Sequence, residues 1–398
     1  MNKKHFLLFQ VKSVCYDSYI YFSNALAKAL TNAGHAVEIF SALEEPLEAA
    51  ERFVGKTFDA IIDFNSELPL LQMEDDSYFL DHIDAPFYDV ILDHPLYHHK
   101  KLKQQLRDFH ILCLDENHRN YITTYYPHIA SAHVWEMTGD DICPNEISYP
   151  PKDIDVLFSG TYTSPCEVAD SIDTCPAFLG NLTRNLIELI EAEPSLTQEA
   201  ALQKLLPSLD EAEVIEENFT LHMQACFLCD SYLRAAKREQ LLVHLAKENI
   251  PLTLCGNGWR KSPLAQFPQI QIIDDTSFYD TFSLFRRAKI TLNLLPEFKN
   301  GSHDRVYSAM LNHSLCLTDA SPLLKKEFAD GRELCFYDAQ NPEGLTHCIQ
   351  DLLIDESRCI SITQNGYAAA KKDHTWDARV VSLMTVLDSC APRGARSR

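Results

Sequence analysis

The stretch from Asn293 to Asp319 gathers side chains able to hold an anion. Gly301-Ser302-His303-Asp304-Arg305 precedes Val306, Met310 and Leu311, whose spacing predicts a helix opening at these polar residues. Unpaired backbone N–H groups and the positive end of the helix dipole would collect there, which suits phosphate. Arg305 adds a planar guanidinium that can take two oxygens of a diphosphate at once. Asn300 stands just before the loop, and the apolar run Leu315-Cys316-Leu317 ends at a further polar pair, Thr318-Asp319. A plainer reading of the same spacing is a surface loop in which Ser302 and Asp304 only cap a helix.

Other polar groups also follow apolar runs. Gly256-Asn257-Gly258-Trp259 follows Pro251–Cys255, and its missing side chains either let a base or ribose approach the backbone or make a tight turn. Gly160-Thr161 follows the strand-like Asp155–Ser159. Asp93-His94 follows Tyr88–Leu92; either residue is chemically fit to take a proton from an acceptor hydroxyl, while the Pro95 that follows equally favours a capped turn. Cys15, Tyr16 and Asp17, Asn65 and Ser66, and Asp115, Asn117 and His118 occupy comparable positions. No metal is expected. Asp93, His98 and His99 lack a third well-spaced ligand. Cys226-x-x-Cys229, with Cys166 and Cys175 upstream, has the count for a four-thiolate zinc site but sits in a helical segment without turn residues. The 13 cysteines are odd in number and scattered, so no disulfide framework is implied.

The elements that must position these groups alternate regularly. Apolar runs at 5–11, 37–40, 58–64, 88–92, 110–114 and 132–135 are separated by loops and helical segments, which predicts a doubly wound parallel sheet. No GxGxxG follows the first run. After Tyr149-Pro150-Pro151 a second series begins at Asp155 and resumes through 251–255, 270–273, 289–294 and 315–317. An acidic, strand-free stretch at about 164–235 reads as a helical insertion. The expected organisation is an α/β chain of two Rossmann-like domains facing across a cleft, 1–150 and 151–375, with a helix at 376–390 returning to the first domain and a disordered tail at 391–398. Ligands of such sheets bind at strand carboxyl ends.

Composition narrows the partners. The 398 residues exceed one ordinary core. A formal net charge of −22 argues against nucleic acid or an anionic membrane as main partner. No apolar run reaches the ~20 residues of a membrane span, and the apolar stretch near the N-terminus is too short for a signal peptide, so a cytoplasmic location is expected.

These residues resemble a known group. Asp153–Gly160, Leu252–Trp259, Lys299–Asp319 and His374-Thr375-Trp376 are similar, in kind and order, to the C-terminal half of GT-B glycosyltransferases, and more narrowly to the CgeB-like (spore maturation protein-like) group. The resemblance covers roughly residues 153–388; the first half is only generically similar. It implies metal-independent transfer of a sugar, hexosyltransferase-type, from a nucleotide-sugar donor to an unidentified glycan, protein or small-molecule acceptor. Gly160, Thr161, Gly256–Trp259, Asn300–Arg305, Thr318 and Asp319 would hold the donor, and Asp93 or His94 would serve catalysis. The sequence departs from the Glu-x7-Glu pattern of many retaining members: Ser308 and Asn300 stand where the two glutamates would be. Alternative readings are a catalytically inactive GT-B-fold nucleotide-binding or scaffold protein, and a nucleotide-sugar epimerase.

Overall fold

Twelve strands form among the described residues, which in this computed structural model are 3–11, 17–145, 148–274 and 276–390. Cys15 and Tyr16, and the tail expected at 391–398, lie outside them. The chain divides into two compact units, Met1–Thr138 with Lys372–Arg398, and Gly139–Lys371.

The first unit carries β1 (His5–Gln10), β2 (Ala36–Ser41), β3 (Ala60–Phe64), β4 (Phe87–Ile91), β5 (Phe109–Cys113) and β6 (Ser131–Val134). They form one parallel sheet in the order β2-β1-β3-β4-β5-β6. Helices α1 (Ser18–Asn32), α2 (His99–Leu102) and α3 (Glu116–Tyr125) connect them. Strands β3, β4 and β5 are buried along their whole length, as sheets covered on both faces require.

The second unit carries β7 (Ile154–Ser159), then six helices: α4 (Pro165–Asp173), α5 (Ala177–Ala192), α6 (Gln198–Leu205), α7 (Ala212–Glu217), α8 (Phe219–Ala225) and α9 (Phe227–Lys247). The expected helical stretch is thus an elaborated crossover, whose last helix, α9, packs Leu241, Leu242, Leu245 and Ala246 into the core. β8 (Leu252–Cys255), β9 (Ile270–Ile273), α10 (Asp280–Arg287), β10 (Ala288–Asn293), α11 (Asp304–Leu311), β11 (Leu315–Asp319), α12 (Pro322–Glu327), β12 (Cys335–Tyr337), α13 (Pro342–Ile354) and α14 (Glu356–Asp373) follow. The sheet is parallel in the order β12-β11-β10-β7-β8-β9. Its direction of winding reverses between β7 and β10, and open sheets bind ligands in the crevice at such a reversal. Helix α15 (Trp376–Cys390) belongs to the first unit: Trp135 Nε1 donates to its Arg379 carbonyl at 3.2 Å and to Ser382 Oγ at 3.0 Å.

Candidate donor site in the second unit

The carboxyl ends of β7 and β10 carry Gly160 and Asn293. Arg305, in the first turn of α11, reaches back so that its Nη1 donates to Asn293 Oδ1 at 2.8 Å. Asn293 is fixed by two further bonds: its Nδ2 donates to Thr318 Oγ1 at 3.0 Å, and its carbonyl accepts from the Tyr337 hydroxyl at 2.8 Å. Thr318 is buried and supports Asn293.

A second guanidinium arrives from α9. Arg238 donates from Nη1 to the Thr161 carbonyl. A Cβ placed on Gly160 would lie 3.8 Å from both Arg238 Cζ and Arg305 Nη2, so the two cations converge on one backbone position. Burial, with Arg305 nearby, lowers the Arg238 pKa to about 10. Burial also lowers that of Arg305, opposed by Asp304 and Glu297. Two like charges held together away from water are costly unless an anion joins them. Arg238 was not among the residues picked from the sequence. Its only local signal is the i, i+4 spacing from Arg234, which puts both on one helix face but does not say what the face meets.

The glycine loop after β8 is shaped by close approach. Gly256 (φ +127°) and Gly258 (φ +90°) both have positive φ. A Cβ on Gly256 would lie 2.6 Å from the Gly160 carbonyl oxygen, and one on Gly258 would lie 2.8 Å from that of Tyr162. Tyr162 N–H donates to the Asn257 carbonyl at 2.9 Å, which zips the β7 and β8 loops together. Trp259 is wholly buried; its Nε1 donates to the Gly160 carbonyl at 2.7 Å and its ring packs on Tyr162 and Phe158. Its indole holds the β7 loop in place. Asn257 and Thr161, by contrast, are exposed.

The α11 loop divides likewise. Gly301 and Ser302 are buried, Ser321 Oγ donating to the Gly301 carbonyl at 2.7 Å and the Tyr307 hydroxyl donating to Ser302 Oγ at 2.9 Å. His303 caps α11: its Nδ1 lies 3.3 Å from the Arg305 backbone nitrogen and 2.6 Å from Asp304 Oδ1, so this one nitrogen accepts the helix N–H when unprotonated and donates to the carboxylate when protonated. Burial raises the Asp304 carboxyl, but His303 and Arg305 outweigh it and leave the pKa below the usual value. Asp319 accepts the Leu295 N–H on both oxygens, at 2.8 and 3.0 Å, and burial pushes its pKa up to about 7. Asn300 is half-buried at the loop entrance. Ser308 is buried against Gly139, where an added Cβ would lie 2.1 Å from its Oγ.

Asp93 and His94 lie in the first unit, after β4. Asn65, itself at φ +47°, donates from Nδ2 to Asp93 Oδ2 at 2.9 Å and accepts from Leu92 N at 2.8 Å. His94 Nδ1 accepts the Leu96 N–H at 3.0 Å. The neutral ring must then carry its proton on Nε2, which donates and cannot accept. Asp93, half-exposed with a carboxylate oxygen fixed by Asn65, is the better base of the two.

Residues 234–385 match the family described as glycosyl transferase-like. That segment begins on α9 beside Arg238 and includes Arg305. Solved structures align over nearly the whole chain. An α-glucosyltransferase in complex with UDP and a 13-mer DNA containing an HMU base gives a TM-score of 0.58 at 11% identity, over 97% of this chain and 100% of that one. Sucrose-phosphate synthase from Thermosynechococcus elongatus gives 0.56 at 11%, over 97% and 99%. Anabaena HepE in complex with UDP and glucose gives 0.52 at 10%, over 97% and 100%. The fold is GT-B. No curated protein sequence matches the chain. In this GT-B chain the two parallel sheets with flanking helices are those expected from the alternation of apolar runs, with β12 added at the edge of the second. No helix among the described residues is long and apolar enough to cross a membrane.

Proposed function

We propose that the chain is a glycosyltransferase that takes a sugar from a nucleoside diphosphate donor, with the second unit binding the donor. The observation that carries this reading is the convergence of Arg305 and Arg238 beside Gly160 at the winding reversal of the second sheet. A diphosphate would bridge the two guanidiniums, and the same two charges stabilise it as it leaves. The reading is metal-independent, since two guanidiniums and the first turn of α11 meet the electrostatic demand. Asn257, Gly256 and Gly258 would face the nucleoside, and Asn300 and Asp304 the sugar. UDP is the first nucleotide to try, because UDP accompanies two of the structural relatives. Asp93 is the proposed base for an acceptor hydroxyl. The net charge of −22 favours a glycan, protein or small molecule over nucleic acid as acceptor. Membership of the CgeB-like group rests on Arg305 and the residues around it, and a cytoplasmic location on the composition.

A panel of UDP, GDP, dTDP and CDP followed by thermal unfolding tests the donor class: one nucleotide should raise the midpoint, and a flat response to all four refutes the site. A second reading, nucleotide binding without transfer, is favoured by Ser308, which offers no carboxylate to the site. Release of UDP from UDP-sugars, with or without acceptors, decides between the two.

A further inference from the structure

At the amino end of the first sheet a continuous hydrogen-bonded chain ends on a thiol. His110 and Ser131 are register partners on β5 and β6. Asp108 Oδ1 lies 2.9 Å from His110 Nε2, and His110 Nδ1 lies 2.7 Å from Ser131 Oγ. Ser131 Oγ is 3.0 Å from His133 Nε2 and 3.3 Å from Cys390 Sγ, in the last turn of α15. His133 Nε2 is itself 3.3 Å from that sulfur. Tyr88 completes the group, with its ring stacked on His110 at 4.5 Å and its hydroxyl hydrogen-bonded to Cys390.

The direction of the protons follows from one end. A carboxylate only accepts, so His110 carries its proton on Nε2 and accepts the Ser131 hydroxyl at Nδ1. Ser131 Oγ then has lone pairs ready for the Nε2–H that His133 gains only on protonation. Burial, with His110 and Arg119 nearby, holds the His133 pKa below its usual value, which keeps the ring a neutral acceptor for the Cys390 S–H. A nucleophile, a base in reach of it and a third group that stabilises the base once protonated are the parts of an activated thiol.

We propose that Cys390 is a modification site that exchanges with a small disulfide, His133 acting as its base. His133 Nε2 takes the thiol proton, and the imidazolium formed donates to Ser131 Oγ. The Cys390 sulfur attacks one sulfur of the disulfide. A new S–S bond forms, the old one breaks, and the departing thiolate leaves as a thiol with the proton from His133. Cys390 is oxidised and half of the disulfide is reduced. Cys390 is half-buried, so a small disulfide reaches its sulfur more readily than a protein partner does. None of these residues belongs to the donor site.

The test exposes the protein to oxidised glutathione and follows each cysteine by peptide mass. Cys166 is exposed and serves as an internal reference. Accessibility alone predicts that Cys166 reacts first; the proposal predicts that Cys390 does. His133→Gln should slow Cys390 by at least about tenfold and leave Cys166 unchanged. Cys166 reacting first in the unaltered protein, or an unchanged Cys390 rate in a folded His133→Gln protein, overturns the proposal. Should that variant unfold, seen as reaction of the buried Cys113 and Cys316, the order of Cys390 and Cys166 in the unaltered protein decides.

Discussion

Arg305 Nη1 donates to Asn293 Oδ1 at 2.8 Å, and this bond ties the first turn of α11 to the end of β10. It uses one edge of the guanidinium and leaves Nη2 directed at Gly160. Arg305→Ala should weaken nucleoside diphosphate binding by about 10–100-fold, the range of a lost charge-assisted hydrogen bond. Arg305→Lys keeps the charge but not the fork, and should recover only part of the loss. Calorimetric titration with the nucleotide that passes the thermal screen measures both; equal affinity in all three proteins would refute the assignment.

Arg238 makes a prediction of opposite sign for the free and bound protein. Arg238→Met removes a buried charge that repels Arg305 while keeping most of the stem packing. The ligand-free protein should unfold at the same or a higher temperature, by roughly 1–2 kcal/mol of added stability. The nucleotide-induced rise in midpoint should shrink. Loss of stability with full nucleotide response would show that Arg238 is structural only.

Asp319 links stability to pH. Its folded pKa, about 7, lies above the unfolded value, so the unfolded chain releases the proton more readily. The stability cost is absent below the unfolded pKa and grows as pH rises towards the folded one. Asp319→Asn keeps an oxygen for the Leu295 N–H and removes the charge. Urea unfolding should find the variant roughly 1–3 kcal/mol more stable than the unaltered protein at pH 8, with the gain vanishing near pH 4. A gain that is the same at both values would rule out the linkage.

Ser308 should not tolerate the glutamate found at this position in many relatives of the resembling family. Gly139 already abuts its Oγ, and Ser308 is fully buried. Ser308→Glu forces an unpaired carboxylate into that contact and should cost about 2–4 kcal/mol. Denaturant midpoints measure it; a variant with unchanged stability and a gain in sugar turnover would reverse the reading of this position.

Strands were legible in the sequence where apolar runs were long enough to need cover on both faces, as with Phe58–Phe64, of which Ala60–Phe64 forms β3. β12 was not: three residues, Cys335-Phe336-Tyr337, give too short a run to separate from a loop. α14 was overlooked too, since its polar and apolar residues give little periodic contrast. In the donor region the glycines and Arg305 stood out because local chemistry marks a loop or a cap. Arg238 did not, because its partner Thr161 is far along the chain and only the crossover brings them together. The bond from Trp259 to the Gly160 carbonyl was hidden for a related reason: the two residues lie 99 positions apart and only the fold brings them together.

Helix α15 gives the first unit a discontinuous chain. Trp135 leans on Arg379 and Ser382, Arg379 Nη2 reaches Glu136 at 2.9 Å, and Trp376 packs against Tyr21 and Phe22. During synthesis the six strands of that unit emerge first, yet the helix that covers these aromatics emerges only after the whole second unit. The early unit therefore waits on the ribosome with Trp135, Tyr21 and Phe22 uncovered, and its final closure is among the last steps of folding.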